Sequence, residues 1–274
     1  MDKIKILNYA FIIHHKSFFN IIAIRQMNKL LRILRYLREL RWKYYWKSSI
    51  VRVKNNAQFS IEDNVTIRNC NIWVGENCEL IIKGNAVLKN ISLYINDGTV
   101  LISDHVRIIG ESKKKLSQYI INEGSITIGH HSKLLCNRVW IRFGGVLKIG
   151  CYTNINNGSE IRTDESVNIG DYCRISYYVK IWDTNTHNIY PALTRRELNR
   201  SHWPSFGIEY ERPKTLPVLI GNDCWIGEEA SILKGCTLED EVIVGYQTIL
   251  IGKKIKARHT VVQNIEYKII ERYE

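Results

Sequence analysis

An aliphatic residue returns every six positions through Ile220, Ile226, Ile232, Leu238, Val244 and Leu250. Neither a helix nor an ordinary hairpin keeps five consecutive steps of six. A small residue follows four places after each aliphatic, at Cys224, Ala230, Cys236, Val242 and Thr248. Glycine often comes directly after the aliphatic, at Gly221, Gly227 and Gly245, where a tight corner can use its backbone freedom. The same phase is present in Ile149, Ile155, Ile161 and again in Ile169, Ile175, Ile181, with weaker copies back to Ile61. Each six-residue unit is therefore expected to supply one short strand and one corner, and stacked units would bury the aliphatics in a continuous column. A β-sandwich has no reason to hold this period. The expectation is an all-β solenoid over residues 56–255, an N-terminal appendage over 1–55 and a tail over 256–274.

Charge is distributed unevenly along this plan. The net charge is +12, but residues 1–50 hold eleven Lys or Arg against Asp2 and Glu39. The basicity thus belongs to the appendage, and the solenoid offers no basic groove for nucleic acid. Residues 25–47 set Met27, Leu30, Leu31, Leu34, Leu37 and Tyr44 at helical spacing among Arg and Lys. A mainly helical appendage is expected. Its stripe would dock on the coil base or on another subunit, and an anionic membrane surface is the other candidate partner of residues 1–50. Seven cysteines without any CxxC pair indicate free thiols in a reducing cytoplasm. No apolar run reaches the ~18 residues of a spanning helix, and no secretion signal is expected.

The segment LIGNDCWIGEEASILKGCTLEDEVIVGYQTIL, residues 219–250 without its closing context, resembles the C-terminal coils of hexapeptide-repeat acyltransferases. That resemblance implies a left-handed parallel β-helix, three hexapeptides to a turn, and a homotrimer with active sites between subunits. It also implies acetyl-CoA as co-substrate, with no metal required. The closest likeness is to sugar and polysaccharide O-acetyltransferases.

The period stops between Ile181 and Ile220, and all four prolines fall in that gap. A long non-repetitive loop over 183–217, projecting from a regular solenoid, is usually functional. Its opening, IWDTNTHNIY, resembles the segment where sugar O-acetyltransferases of this family carry an Asp and a His four apart as the chain leaves the coil. The matching residues are Asp183 and His187. A sugar hydroxyl is a poor nucleophile, and an imidazole, with an ordinary pKa of about 6.5, can take its proton as the bond forms. Asp183 would then hold the imidazole tautomer. His202 and Trp203 are candidates to line the acceptor site, Trp203 by stacking on a sugar face. The resemblance further implies cofactor contacts at Trp225, Ala230 and Ser231, and basic groups Lys253 and Lys254 against the coenzyme phosphates. Tyr246 stands where the family commonly has a small residue, which alters the adenine end.

The expected activity is transfer of an acetyl group to a hydroxyl of a capsule, exopolysaccharide or lipopolysaccharide glycan, directly and in a ternary complex. Such an enzyme would be cytoplasmic or peripheral on the inner face of the membrane. N-acetylation of a nucleotide-linked amino sugar and a non-catalytic β-helical scaffold are the alternatives. The histidines do not have the spacing of the zinc-dependent β-helix carbonic anhydrases.

Overall fold

The computed structural model describes residues 40–46, 48–205, 209–266 and 268–272. The chain divides into Met1–Arg41 and Trp42–Glu274, and the second unit is the body considered below. Most of the expected helical appendage lies outside the described residues.

Parallel strands stack into three sheets with nine coil strands in each, every one pairing with the equivalent strand of the neighbouring coils. The first sheet contains Ser49–Lys54, Lys180–Trp182 and Ser231–Leu233; the second contains Gln58–Ile61 and Val218–Ile220; the third contains Thr66–Arg68 and Trp225–Ile226. This three-sided coil matches a left-handed parallel β-helix. The period of six explains the rotation from face to face: Ile220 points inward from the second sheet, Ile226 from the third, Ile232 from the first, and all three are buried. Along the first sheet the inward column runs Val51, Ile72, Leu93, Tyr119, Val139, Ile161, Ile181, Ile232, Leu250 in unbroken register. Burying each such aliphatic stabilises the fold by about 1.5–3 kcal/mol.

The weak early period has a structural cause. Ile232 lies over Leu250, 18 residues on, whereas Ile72 lies over Leu93, 21 residues on. Extra corner residues lengthen the earlier coils without disturbing the inward column. The coil also reaches further than the period indicates, from Ser49–Lys54 to Thr260–Val261. Just before it, Leu40–Trp46 is a strand at the edge of the first sheet. The expected helix therefore cannot continue to residue 47. Its last stretch, LRWKYYW, is rich in aromatics that favour strands, and a sheet edge offers the backbone a partner.

Gly221, Gly227 and Gly245 are not the left-handed residues of their corners. That conformation falls to Asp223, Glu229 and Gln247. The glycines are required by close approach between coils: a Cβ on Gly221 would lie 2.4 Å from Asp240 Oδ1, and one on Gly227 2.7 Å from the carbonyl carbon of Gly245. All seven cysteines are unpaired, and all but Cys151 are buried.

Candidate active site at the coil exit

The chain leaves the coil after Trp182 and rejoins it at Val218, so the insertion covers 183–217. Register is preserved across it, with Lys180, Ile181 and Trp182 lying over Ser231, Ile232 and Leu233. The two legs of the loop are tied at the base. Thr184 and Thr215 form an antiparallel bridge, Asn185 N–H donates to Lys214 O, and Leu216 N–H donates to Asp183 O. Within the loop the helix α1 spans Ala192–Ser201 and buries none of its residues.

Asp183 is fully buried, and its carboxylate faces away from any imidazole. Oδ1 accepts the N–H of Asp164 and Oδ2 the N–H of Glu165, each at 2.8 Å. These bonds fasten the loop exit to the corner of the coil before it. Burial nevertheless pushes the Asp183 carboxyl up to about 6, against the opposing pull of those N–H groups. In this structure Asp183 meets the backbone of the preceding corner, and the carboxylate against the His187 imidazole is that of Glu209.

A second buried cluster sets the backbone just before His187. Arg142 makes a two-pronged ion pair with Asp164, at 2.9 Å from Nε and 2.7 Å from Nη2, and Nη2 also donates to Thr186 O at 3.1 Å. Thr184 Oγ1 donates to Asp164 Oδ2 at 2.6 Å and accepts Thr186 N–H at 3.0 Å. The Arg142 guanidinium lies 4.7 Å from the Trp140 ring and 5.1 Å from that of Phe143. Together these contacts hold Thr186 at φ 71°, a left-handed conformation that a β-branched residue adopts only under constraint.

His187 follows, with 60% of its side chain exposed. Its Nδ1 is 2.8 Å from Glu209 Oε1, while Glu209 Oε2 accepts the backbone N–H of Asn188 at 3.2 Å and its Nδ2 at 3.1 Å. A carboxylate can only accept, so in the neutral imidazole Nδ1 carries the proton and Nε2 the lone pair. No residue among those described engages Nε2. The outcome is an exposed imidazole base backed by a nearly buried carboxylate, an arrangement able to take a proton from a hydroxyl and stabilise the imidazolium that results.

Sequence reading missed Glu209 because the pairing depends on how the two loop legs close. The available signal was a short roster: residues 183–217 contain only Asp183, Glu197, Glu209 and Glu211 as acids. His202 lies just beyond α1, with Nδ1 against Leu198 O at 3.0 Å and its ring stacked 4.3 Å from that of Tyr210. It braces the segment that carries Glu209. Trp203 beside it is 72% exposed.

The expected cofactor residues separate. Ala230 is fully buried in a coil corner and cannot line a groove, since its position needs a small core residue. Ser231 lines a groove of about 510 Å³ with Lys180, Gln247 and Ile249. Trp225 instead lies in a groove of about 840 Å³ on the third sheet, with Asn154 and Arg174. Tyr246, Lys253 and Lys254 are exposed in the last coils. Among the described residues, no helix is long and apolar enough to cross a membrane.

No protein-family model matches the sequence. Over 159 residues, 57% of this chain and 76% of the relative, it is 28% identical to an Escherichia coli (strain K12) protein named "Putative lipopolysaccharide biosynthesis O-acetyl transferase WbbJ". Similar solved structures include the polysialic acid O-acetyltransferase OatWY, at TM-score 0.46 and 24% identity over 76% of this chain and 82% of that one. The polySia-specific acetyltransferase NeuO aligns at TM-score 0.36 and 17% identity over 80% and 84% of the two chains. The three-sheet coil built on a period of six is that of a left-handed parallel β-helix, and the sequence is similar to that of the Escherichia coli protein named as an O-acetyl transferase.

Proposed function

We propose that this enzyme transfers an acetyl group from acetyl-CoA to a hydroxyl of a capsule, exopolysaccharide or lipopolysaccharide glycan, with His187 as general base. The observation that carries the reading is the His187–Glu209 contact at 2.8 Å with Nε2 left free at the mouth of the loop. In the reaction His187 takes the hydroxyl proton as the sugar oxygen attacks the thioester carbonyl. The tetrahedral adduct then collapses, and the imidazolium returns the proton to the departing thiolate. Glu209 stabilises the imidazolium between those two steps. Transfer is direct within a ternary complex, because this sequence of proton movements needs no acyl-enzyme.

The groove at Ser231 fits the pantetheine arm: Ile249 offers an apolar wall, while Ser231 and Gln247 offer partners for its amides. Lys180 in the groove, and Lys253 and Lys254 beyond it, would face the phosphates. The name of the Escherichia coli relative supports a glycan acceptor. A homotrimer completes the reading, with the enzyme on the cytoplasmic side, where acetyl-CoA is available. His202 and Trp203, on the same loop as His187, remain the acceptor-side candidates, and residues 1–50 the candidate contact with an anionic membrane.

The test is His187→Ala. Turnover should fall by roughly 10²- to 10⁴-fold, the usual worth of a positioned base, with acetyl-CoA binding retained. Near-normal turnover on the true acceptor would rule out the mechanism.

A further inference from the structure

On the outer surface of the third sheet, Asn154, Arg174 and Trp225 follow one another in register on successive coils. They line the groove of about 840 Å³, which Tyr152 and Tyr172 wall along one edge. The two tyrosine rings are parallel to within 1°, with centroids 5.2 Å apart, and His131 stacks on Tyr152 in turn.

The floor is made of groups with unused capacity. Trp225 is 56% exposed, and no ring among the described residues stacks on it. Arg174 is exposed, with no carboxylate among those residues within ion-pair distance. Asn154 Nδ2 donates to Asn156 Oδ1 at 3.0 Å, which fixes both amides and leaves an acceptor on Asn154 and a donor pair on Asn156 without partners among the described residues. A large exposed indole beside orphaned polar groups in a concave site marks a place where a ligand completes the surface.

The exposed indole decides which ligand. Arg174 is opposed in the same groove by Asp223, a balance of charge shared with the groove at Ser231, where Lys180 and Glu229 both line the wall, so what sets this groove apart is the flat open face of Trp225. A polyhydroxylated chain would find a flat ring for its C–H face and both donors and acceptors for its hydroxyls. Successive coils repeat at roughly 4.8 Å, a spacing comparable with one sugar ring. We infer that this groove is a binding track for the glycan strand, separate from the hydroxyl under attack at His187, which holds a polymer along the solenoid while individual residues are acetylated. The inference rests on the glycan being the acceptor, and it makes the enzyme selective for chains over single sugars.

The test uses the full-length protein and needs no acyl transfer. Wild type, Arg174→Ala and Trp225→Ala are run by affinity electrophoresis through gels containing dextran, galactan, hyaluronan, alginate or lipopolysaccharide O-chain. Acetyl-CoA affinity is measured by calorimetry in parallel. At least one polymer should retard the wild type, each substitution should weaken that retardation at least tenfold, and acetyl-CoA affinity should not change. Retardation by no polymer, or equal retardation of all three proteins, overturns the inference. So does weakened acetyl-CoA binding in either variant, because the groove would then be the coenzyme's. A failure of acetyl transfer to any glycan would reject the proposed activity, while the gels would still report on the groove.

Discussion

Replacing Glu209 by Gln would separate the charge behind His187 from its geometry. The amide is isosteric, and its oxygen can still accept from Nδ1, while its NH2 then faces the Asn188 N–H and Nδ2 and those two contacts are given up. What disappears is the negative charge facing the imidazolium. Two unit charges ~4 Å apart interact by about 4 kcal/mol at the effective dielectric of a protein surface. His187 is 60% exposed while Glu209 is 9% exposed, so solvent screens much of this, and roughly 1–2 kcal/mol is the reasonable share. That corresponds to a fall in kcat of about 5- to 30-fold. It should be read by following thiol release at saturating acetyl-CoA, with the KM for acetyl-CoA unchanged. The loss should be smaller than for His187→Ala, since the base itself survives. Turnover equal to wild type would refute the reasoning, because it would mean the carboxylate does nothing for the charge that forms on the ring.

Arg142→Ala would leave Asp164, 1% exposed, without its ion-pair partner, and unfolding followed by calorimetry should show a loss of about 3–5 kcal/mol; a change under ~1 kcal/mol would show that the pair does not brace the loop. Gly98→Ala would set a Cβ 1.9 Å from Gly124 O at φ +139°, whereas Gly144→Ala at φ +77° meets nothing within 4 Å. The first should cost at least ~3 kcal/mol and the second about 1, and equal losses in denaturant titrations would refute inter-coil contact as the reason for glycine. For Asp183 the folded carboxyl is raised to about 6 from its ordinary 3.8, so the folded state holds the proton more tightly than the unfolded one. Its stabilising contribution is present below about pH 4 and is lost as pH rises through about 6, by roughly 3 kcal/mol. The melting temperature of the wild type relative to Asp183→Asn should fall over that range, and parallel curves would contradict it.

The fold was legible because the inward column is strictly local. Ile220, Ile226 and Ile232 declare three faces in succession, and stacking follows from the need to bury them. The 21-residue coils were harder to read, since corner insertions shift the phase while leaving Ile72 above Leu93. The strand at Leu40–Trp46 was hidden by leucines at helical spacing upstream, and an available sheet edge prevailed over that pattern. At the candidate site, the place of His187 at the coil exit was legible from the break in the period. Its carboxylate was not, because Asp183 and Glu209 differ only in which backbone donors each meets after folding. Burial likewise separated Ala230 from Ser231, adjacent in sequence and opposite in exposure to a groove.

The insertion shows why a solenoid can carry such a site at little cost to its core. Each coil packs only on its neighbours, so the strand Lys180–Trp182 meets Ser231–Leu233 whatever lies between them. His187 leaves on the outgoing leg and Glu209 returns on the other, 22 residues later. Their meeting therefore depends on closure of the base, through the Thr184–Thr215 bridge and the contact of Thr215 Oγ1 with Glu165 Oε2. Glu165 belongs to the corner whose N–H is already held by Asp183. One coil corner thus fixes both legs, and the pair proposed to move the proton is positioned by the regular body although both of its members lie outside the repeat.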